Sequence, residues 1–269
     1  MVDQRNRKQS IVTRVAQALH FIEAETGAVI PSIQPSATYA RDDNYEIRKP
    51  YWYRRDGSQT TVHAEAIIAE LENAEASLLF SSGMSACTAV IEHLPTGAHV
   101  VVPKVMYHGV LQQIQKYESN KRIVVSSYEA GNLDELAAVV RVGQTQLVWV
   151  ETPNNPNWEV TDITAAAEIA HAAGAKLFAD CTGTPPCMTK ALDLDADISF
   201  HSATKYLNGH SDITAGVLSV KKVDQFWEDI FWIRKLQGTV LHSQDAWLLI
   251  RGMRTLFLRV EKSCCNAIT

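Results

Sequence analysis

Seven short apolar runs punctuate the chain, at Ser77–Phe80, His99–Pro103, Arg122–Ser127, Gln146–Glu151, Lys176–Asp180, Ile198–His201 and Gly216–Val220. Several are continuous Val, Ile, Leu and Phe rather than alternating, the pattern of strands buried on both faces. Helical stretches lie between them. Val62, Ala66, Ile67, Ile68 and Leu71 recur at helical spacing over Val62–Glu72. Asp162 is placed to cap a helix over Ile163–Ala173, and Gly174 to stop it. This alternation predicts an α/β sandwich around a mostly parallel sheet, a fold that binds ligands at the carboxyl ends of its strands. Residues 1 to about 60 are irregular, interrupted by Pro31, Pro35, Pro50 and Gly57, and are expected to lie across a surface, their own or a partner's. A long helical stretch, roughly Ser243–Asn266, closes the chain. There is no internal repeat, no GxGxxG and no Walker A sequence, so the alternation alone does not imply a dinucleotide or ATP site.

At 269 residues the chain accommodates one large domain, or one domain and part of a second. A net charge of −5 gives no electrostatic case for nucleic acid or an anionic membrane surface, and no apolar run is long enough to span a bilayer. The first twenty residues carry several basic groups without a signal-peptide apolar core, and Asp3 breaks the acid-poor pattern of a transit peptide. Cys87, Cys181, Cys187, Cys264 and Cys265 show neither a CxxC pair nor zinc-ligand spacing. A reduced, cytoplasmic protein is the simplest expectation.

The stretch Phe200-His201-Ser202-Ala203-Thr204-Lys205-Tyr206-Leu207-Asn208-Gly209-His210-Ser211-Asp212 follows directly on a strand. Lysine has the primary amine that forms a Schiff base with an aldehyde, and Ser202 and Thr204 are close enough to hydrogen-bond a phosphate on the same ligand. An aldehyde joined to a phosphate describes pyridoxal 5'-phosphate (PLP). Ser, Thr and Lys alone would better describe a surface lysine in a polar loop. Read together, these thirteen residues resemble the lysine loop of the PLP-dependent enzymes of cysteine and methionine metabolism, the cystathionine γ-synthase-like family.

Five further segments resemble that family in order and spacing. Ser82-Gly83-Met84-Ser85 turns from strand to helix and is similar to the family's S/T-G-M-S-A; the resemblance implies a phosphate site with backbone donors at Gly83 and Met84 and Ser82 nearby. Tyr107 matches a tyrosine stacked on the cofactor ring and close to substrate, although the family's Tyr-Gly-Gly is here Tyr107-His108-Gly109. Glu151-Thr152-Pro153-Asn154-Asn155-Pro156 is similar to E-x-P-x-N-P, which implies that Asn155 touches the cofactor's ring oxygen. Asp180 ends a strand where the family keeps a carboxylate for the protonated pyridine nitrogen; the usual Asp-Asn-Thr is here Asp180-Cys181-Thr182. Tyr53 and Arg55 resemble a Tyr-x-Arg that crosses from a neighbouring subunit onto the phosphate. The G-N-P-T that follows has become Gly57-Ser58-Gln59-Thr60, and an arginine often found next is Thr61.

The resemblance implies the large domain of an aspartate-aminotransferase-type (fold type I) enzyme, an α/β/α sandwich on a mostly parallel sheet of about seven strands. It implies an N-terminal arm over residues 1–60 contacting a neighbouring subunit, a PLP-binding large domain over 61–250, and over 251–269 the start of a C-terminal small domain cut short. Arg251-Gly252-Met253-Arg254-Thr255-Leu256 still matches the family's R-G-x-x-T-L. Lys205 would hold PLP and then move protons on an amino-acid substrate, with Tyr107 as a second acid/base or stacking group. The expected reaction is γ-replacement on an O-acyl-homoserine to give cystathionine or a related thioether, toward which the Ala215-Gly216 ending leans. A β- or γ-lyase of cystathionine or methionine is the alternative. A non-catalytic PLP-binding or interaction subunit is a second alternative, motivated by the missing small domain. Shared sites imply a homodimer or homotetramer, with no nucleic-acid, membrane or metal partner.

Overall fold

A computed structural model describes residues 9–48 and 51–268. Asp3 and Pro50, on which the sequence expectations drew, lie outside the described residues, as does Thr269. All seven apolar runs are strands: β1 (Ala76–Phe80), β2 (Ala98–Pro103), β3 (Ile123–Tyr128), β4 (Thr145–Glu151), β5 (Lys176–Asp180), β6 (Ile198–Ser202) and β7 (Gly216–Val220). They form one sheet in the order β1-β7-β6-β5-β4-β2-β3. Only β7 runs antiparallel to its neighbours β1 and β6. The chain leaves β2 toward β3 and leaves β4 toward β5, so the order reverses between β2 and β4, the kind of crevice that binds ligands in open α/β sheets.

Helices cover both faces, which is why the strands read as continuous apolar runs. On one face Phe80, Val100, Trp149, Phe178, Phe200 and Leu218 pack under α3 (Gly83–His93), α4 (His108–Ser119) and α7 (Gln225–Gln237). On the other, Leu79 and Val217 pack against α2 (Gln59–Glu72) and α8 (Ser243–Met253). Farther along that second face, Val148, Val150 and Leu177 pack against α5 (Leu133–Val139) and α6 (Ile163–Ala172). The result is the three-layer α/β/α sandwich. Asp162 caps α6 by accepting from the Ala165 amide at 3.1 Å, and Gly174 leaves it in the left-handed region at φ +79°.

Two expectations are refined. The closing helical stretch is two helices, α8 and α9 (Leu256–Ile268). The break has a local cause: the Gly252 carbonyl is taken by the Thr255 amide (3.2 Å) and hydroxyl (3.2 Å) and by the Arg259 guanidinium (2.8 Å), which tightens the last turn of α8. The first sixty residues also contain a helix, α1 (Ile11–Ala16), whose Val15 is buried against the core beside α2. Six residues are too few for a periodicity to register.

The altered Gly57–Thr61 segment is explained by helix α2. The Ser58 hydroxyl accepts from the Thr61 amide at 3.2 Å while the Thr61 hydroxyl accepts from the Ser58 amide at 2.9 Å, a reciprocal capping box. Thr60 donates to Ser32 O (2.9 Å) and accepts from Gln34 N (3.0 Å), tying the preceding segment to the helix.

Candidate active site

Three neighbouring strands repeat one motif. Trp149, Phe178 and Phe200 stack on one face of β4, β5 and β6, with ring centroids 3.7 and 5.5 Å apart. Two residues onward, and therefore on the same face, come Glu151, Asp180 and Ser202. Phe200, the last ring of the stack, lines a cleft of about 570 Å³ whose strand-end wall carries those three polar side chains. Ser82, Gly83, Met84, Tyr107, Asn155, Thr204 and Lys205 line the same cleft. Of the residues singled out from sequence, Tyr53 and Arg55 alone are absent from it. They lie together on the arm, the Arg55 guanidinium 4.9 Å from the Tyr53 ring. A wider groove of about 1010 Å³ also reaches Lys205 but includes neither Asp180 nor the start of α3.

The acidic side of the cleft is a pair. Glu151 and Asp180 are direct partners in register across β4 and β5. The Asp180 carboxyl is held up by burial, against a 2.9 Å hydrogen bond from the Thr182 amide. Burial, and then the charge of Asp180, pushes Glu151 up to about 7. Two carboxyls sharing a low-dielectric site cannot both ionise cheaply without a cation. Glu151 also braces the site: its carboxylate accepts the Tyr107 amide at 2.7 Å and the Asn155 amide at 2.8 Å. The sequence assigned Glu151 no role of its own. The available signal was a strand-end carboxylate two residues beyond a buried aromatic, four residues ahead of Asn155. The preceding Asn154 is structural, donating to Val105 O (3.1 Å) and accepting from the Glu159 amide (2.8 Å).

The other side is a helix start. Ser82 and Ser85 close a capping box on α3, and a Cβ on Gly83 would lie 3.4 Å from the Ser202 hydroxyl. The N-terminal turn of α3 therefore presses against the end of β6, with amides and helix dipole facing the cleft. Gly216 makes that approach possible: a Cβ there would fall 2.4 Å from Ser82 O. The residue that leaned toward a synthase thus has a packing reason that applies to any reaction. Thr204 differs from its expected part as a phosphate donor. Its one hydroxyl proton goes to Ala215 O (3.2 Å) while the oxygen accepts the Ala215 amide (2.9 Å), so it staples the lysine loop to the entry of β7.

Tyr107 is half-exposed at the cleft and caps α4. A Cβ on Gly109 would lie 2.9 Å from its ring, whereas the side chain at 108 is exposed. Of the family's two glycines after the tyrosine, the one that bounds the ring is kept. Trp158, which the sequence did not single out, also lines the cleft, exposed, at φ +61°.

The sequence model of the Cys/Met metabolism PLP-dependent enzymes matches residues 13–269. The chain belongs to this family. It is 37% identical over 245 residues to cystathionine gamma-lyase of Bacillus subtilis, covering 91% of this chain and 64% of that protein. It is 35% identical over 256 residues to cystathionine gamma-synthase of Mycobacterium tuberculosis, covering 95% and 66%. Against the chloroplastic cystathionine beta-lyase of Arabidopsis thaliana it is 35% identical over 240 residues, 89% of this chain and 51% of that protein. The solved cystathionine gamma synthase of Xanthomonas oryzae in complex with cystathionine superposes with a TM-score of 0.90 at 30% identity, covering 97% of this chain and 67% of that one. The chain thus spans about half to two thirds of the curated relatives' length. Among the described residues no helix is long and apolar enough to cross a membrane.

The family's cofactor is PLP, and the residues present fit it. The buried Glu151–Asp180 pair suits a ring cation, the close-packed start of α3 suits a phosphate, and Lys205 lines the same cleft.

Proposed function

We propose that this chain carries the PLP site of a transsulfuration enzyme that performs γ-replacement on an O-acyl-homoserine, joining a thiol such as cysteine to give a thioether. The observation that carries the reading is the convergence of Lys205, Asp180 and the α3 N-terminus on one cleft at the carboxyl ends of β4, β5 and β6. Lys205 and Tyr107 are the proposed catalytic residues, and Ser82, Gly83, Met84, Asn155, Asp180 and Ser202 the proposed cofactor contacts.

Bound there, PLP supplies an aldehyde for a primary amine and a ring that delocalises the electron pair left when a proton departs beside that amine. Asp180 would supply the negative charge that holds a proton on the ring nitrogen. Lys205 Nζ would hold the aldehyde and, once its amine is free, would take the Cα proton and a Cβ proton of the substrate. The Cγ–O bond breaks, the acyl group leaving as a carboxylate. The thiol sulfur bonds to Cγ as its proton is lost, and Lys205 returns protons to Cβ and Cα. The Tyr107 ring, set by the Glu151 bond to its amide and by Gly109, flanks the reacting atoms.

We assign residues 61–250 to the cofactor domain, residues 1–60 to an arm that offers Tyr53 and Arg55 to a neighbouring copy's phosphate, and 251–269 to the lead into a smaller domain. The relatives named lyases support a second reading, elimination from cystathionine, in which Lys205 does the same first work. Incubation with acyl-homoserine plus cysteine, against cystathionine alone, separates the two: thioether formation supports replacement, keto-acid release from cystathionine supports elimination. Turnover of neither, with PLP bound, favours a non-catalytic subunit.

A further inference from the structure

We propose that Arg259 is a positioning residue for Lys205, holding the loop that carries the lysine in register with helices α8 and α9. The proposal rests on the reading that Lys205 captures the cofactor. From α9, Arg259 donates to the Tyr206 carbonyl at 2.8 Å and reaches the Leu207 carbonyl at 3.5 Å, the two residues directly after the lysine. The same guanidinium donates to Gly252 O at 2.8 Å, at the end of α8, and through Nε to the Thr255 hydroxyl at 3.1 Å. One planar fork therefore ties three backbone carbonyls from two segments, a geometry a lysine ammonium does not reproduce.

Two glycines make room for this tie. Gly209 sits at φ +77°, and a Cβ there would fall 1.9 Å from Arg259 Nη1. A Cβ on Gly252 would fall 2.1 Å from Asn208 O, so α8 lies directly against the loop. The loop is a tight turn that the tie finishes rather than creates. Lys205 N–H donates to Ser202 O (3.0 Å), Asn208 N–H to Ala203 O (3.0 Å) and Gly209 N–H to Lys205 O (2.7 Å). The Lys205 backbone is thus held on its strand side by β6 and Thr204, and on its far side by Arg259. Without the far anchor the lysine would still sit in the cleft, but its Nζ would sample a wider volume, and orientation sets reactivity at a fixed partner.

The test compares wild type with Arg259→Lys and Arg259→Ala. Amide hydrogen exchange is measured without cofactor, and covalent capture of added PLP at Lys205 is measured by borohydride reduction and peptide mass. Loss of charged hydrogen bonds of this kind predicts exchange at least about tenfold faster at Asn208 and Gly209, with β4 and β5 unchanged, and capture slowed by about the same factor. Arg259→Lys, the milder change, decides the matter should Arg259→Ala not fold. Wild-type exchange in the 205–209 turn of the Lys variant would overturn the proposal, as would loosening spread equally over β4 and β5, which marks a merely structural role. If wild type captures no PLP, the Lys205 reading fails while the exchange comparison still decides whether Arg259 holds the loop.

Discussion

Glu151, Asp180 and Ser202 stand at the ends of three hydrogen-bonded strands over a stack of buried aromatic rings. Tyr53 and Arg55 stand on a segment with no regular structure, tied to its own chain by an isolated bridge from Tyr53 to Thr38 and by Asp56, which pairs with Lys235 and is touched through its carbonyl by Arg234. The first group is placed by the sheet itself. Moving one of its members means breaking a ladder and unstacking rings, each ring pair worth about 0.5–1.5 kcal/mol beyond its burial. The second group is placed by a few surface ties, and the function proposed for it requires a second copy of the chain. On that proposal the chemistry stays inside one subunit and part of the anion grip is left to assembly.

The sharpest way to break the comparison is on the strand-end wall. Asp180→Asn removes the negative charge facing the proposed ring nitrogen, and turnover should fall by ~10²-fold or more, the scale seen when one fixed electrostatic partner is lost, while the fold survives. Steady-state rates beside a far-ultraviolet spectrum check this. Gly216→Ala drives a Cβ into backbone, not a movable side chain, so it should cost the upper part of the ~1–3 kcal/mol range for overpacking and loosen the start of α3. A denaturant midpoint reads the loss.

The arm should behave differently. Arg55→Ala is expected to leave stability within about 0.5 kcal/mol, as exposed substitutions do, yet to weaken PLP retention. Mixing it with Lys205→Ala should restore part of the activity if the arm serves a neighbour's site, since one mixed site would then hold both intact residues. Absence of restoration would place Arg55 outside any shared site.

A milder test is pH. Glu151 carries a folded value of about 7 against an ordinary 4.5. The folded protein therefore holds a proton that the unfolded chain has lost, and this stabilising contribution is full below about 4.5 and disappears as pH rises through 7. Cofactor-free protein should lose stability across that window, and Glu151→Gln should flatten the loss, as melting temperatures against pH would show. The smallest effect is expected from His108→Gly, which restores Tyr-Gly-Gly at an exposed position and should cost no more than ~1 kcal/mol, whereas Gly109→Ala should shift substrate KM by displacing the Tyr107 ring.

The same contrast explains what the sequence revealed. All seven strands were legible because strands buried on both faces write their burial into consecutive residues, and Asp162 and Gly174 announced the ends of α6 by their own chemistry. Lys205 and Asp180 were singled out because their segments resemble the family's, one just past a strand end and one at it, where the apolar runs locate those ends. Glu151 as a brace, Thr204 as a staple and Arg259 as a tie were not. Each acts on a backbone group brought near by folding, Arg259 on residues more than fifty positions away, and no local pattern encodes that partner. The buried Glu72–His201 pair joins α2 to β6 in the same way, across 129 positions. The break at Gly252–Thr255 escaped notice because helical spacing continues through it, and it is marked only by the Thr255 and Arg259 groups that take the Gly252 carbonyl.

The most direct test of the central claim is the visible absorption spectrum of the purified chain after incubation with PLP, beside Lys205→Ala. A cofactor band in wild type that the substitution abolishes, in two proteins with equal folded signal, is the predicted result. A band that persists in Lys205→Ala, or none in a folded wild type, would contradict the assignment of Lys205 and with it the site built around Asp180 and α3.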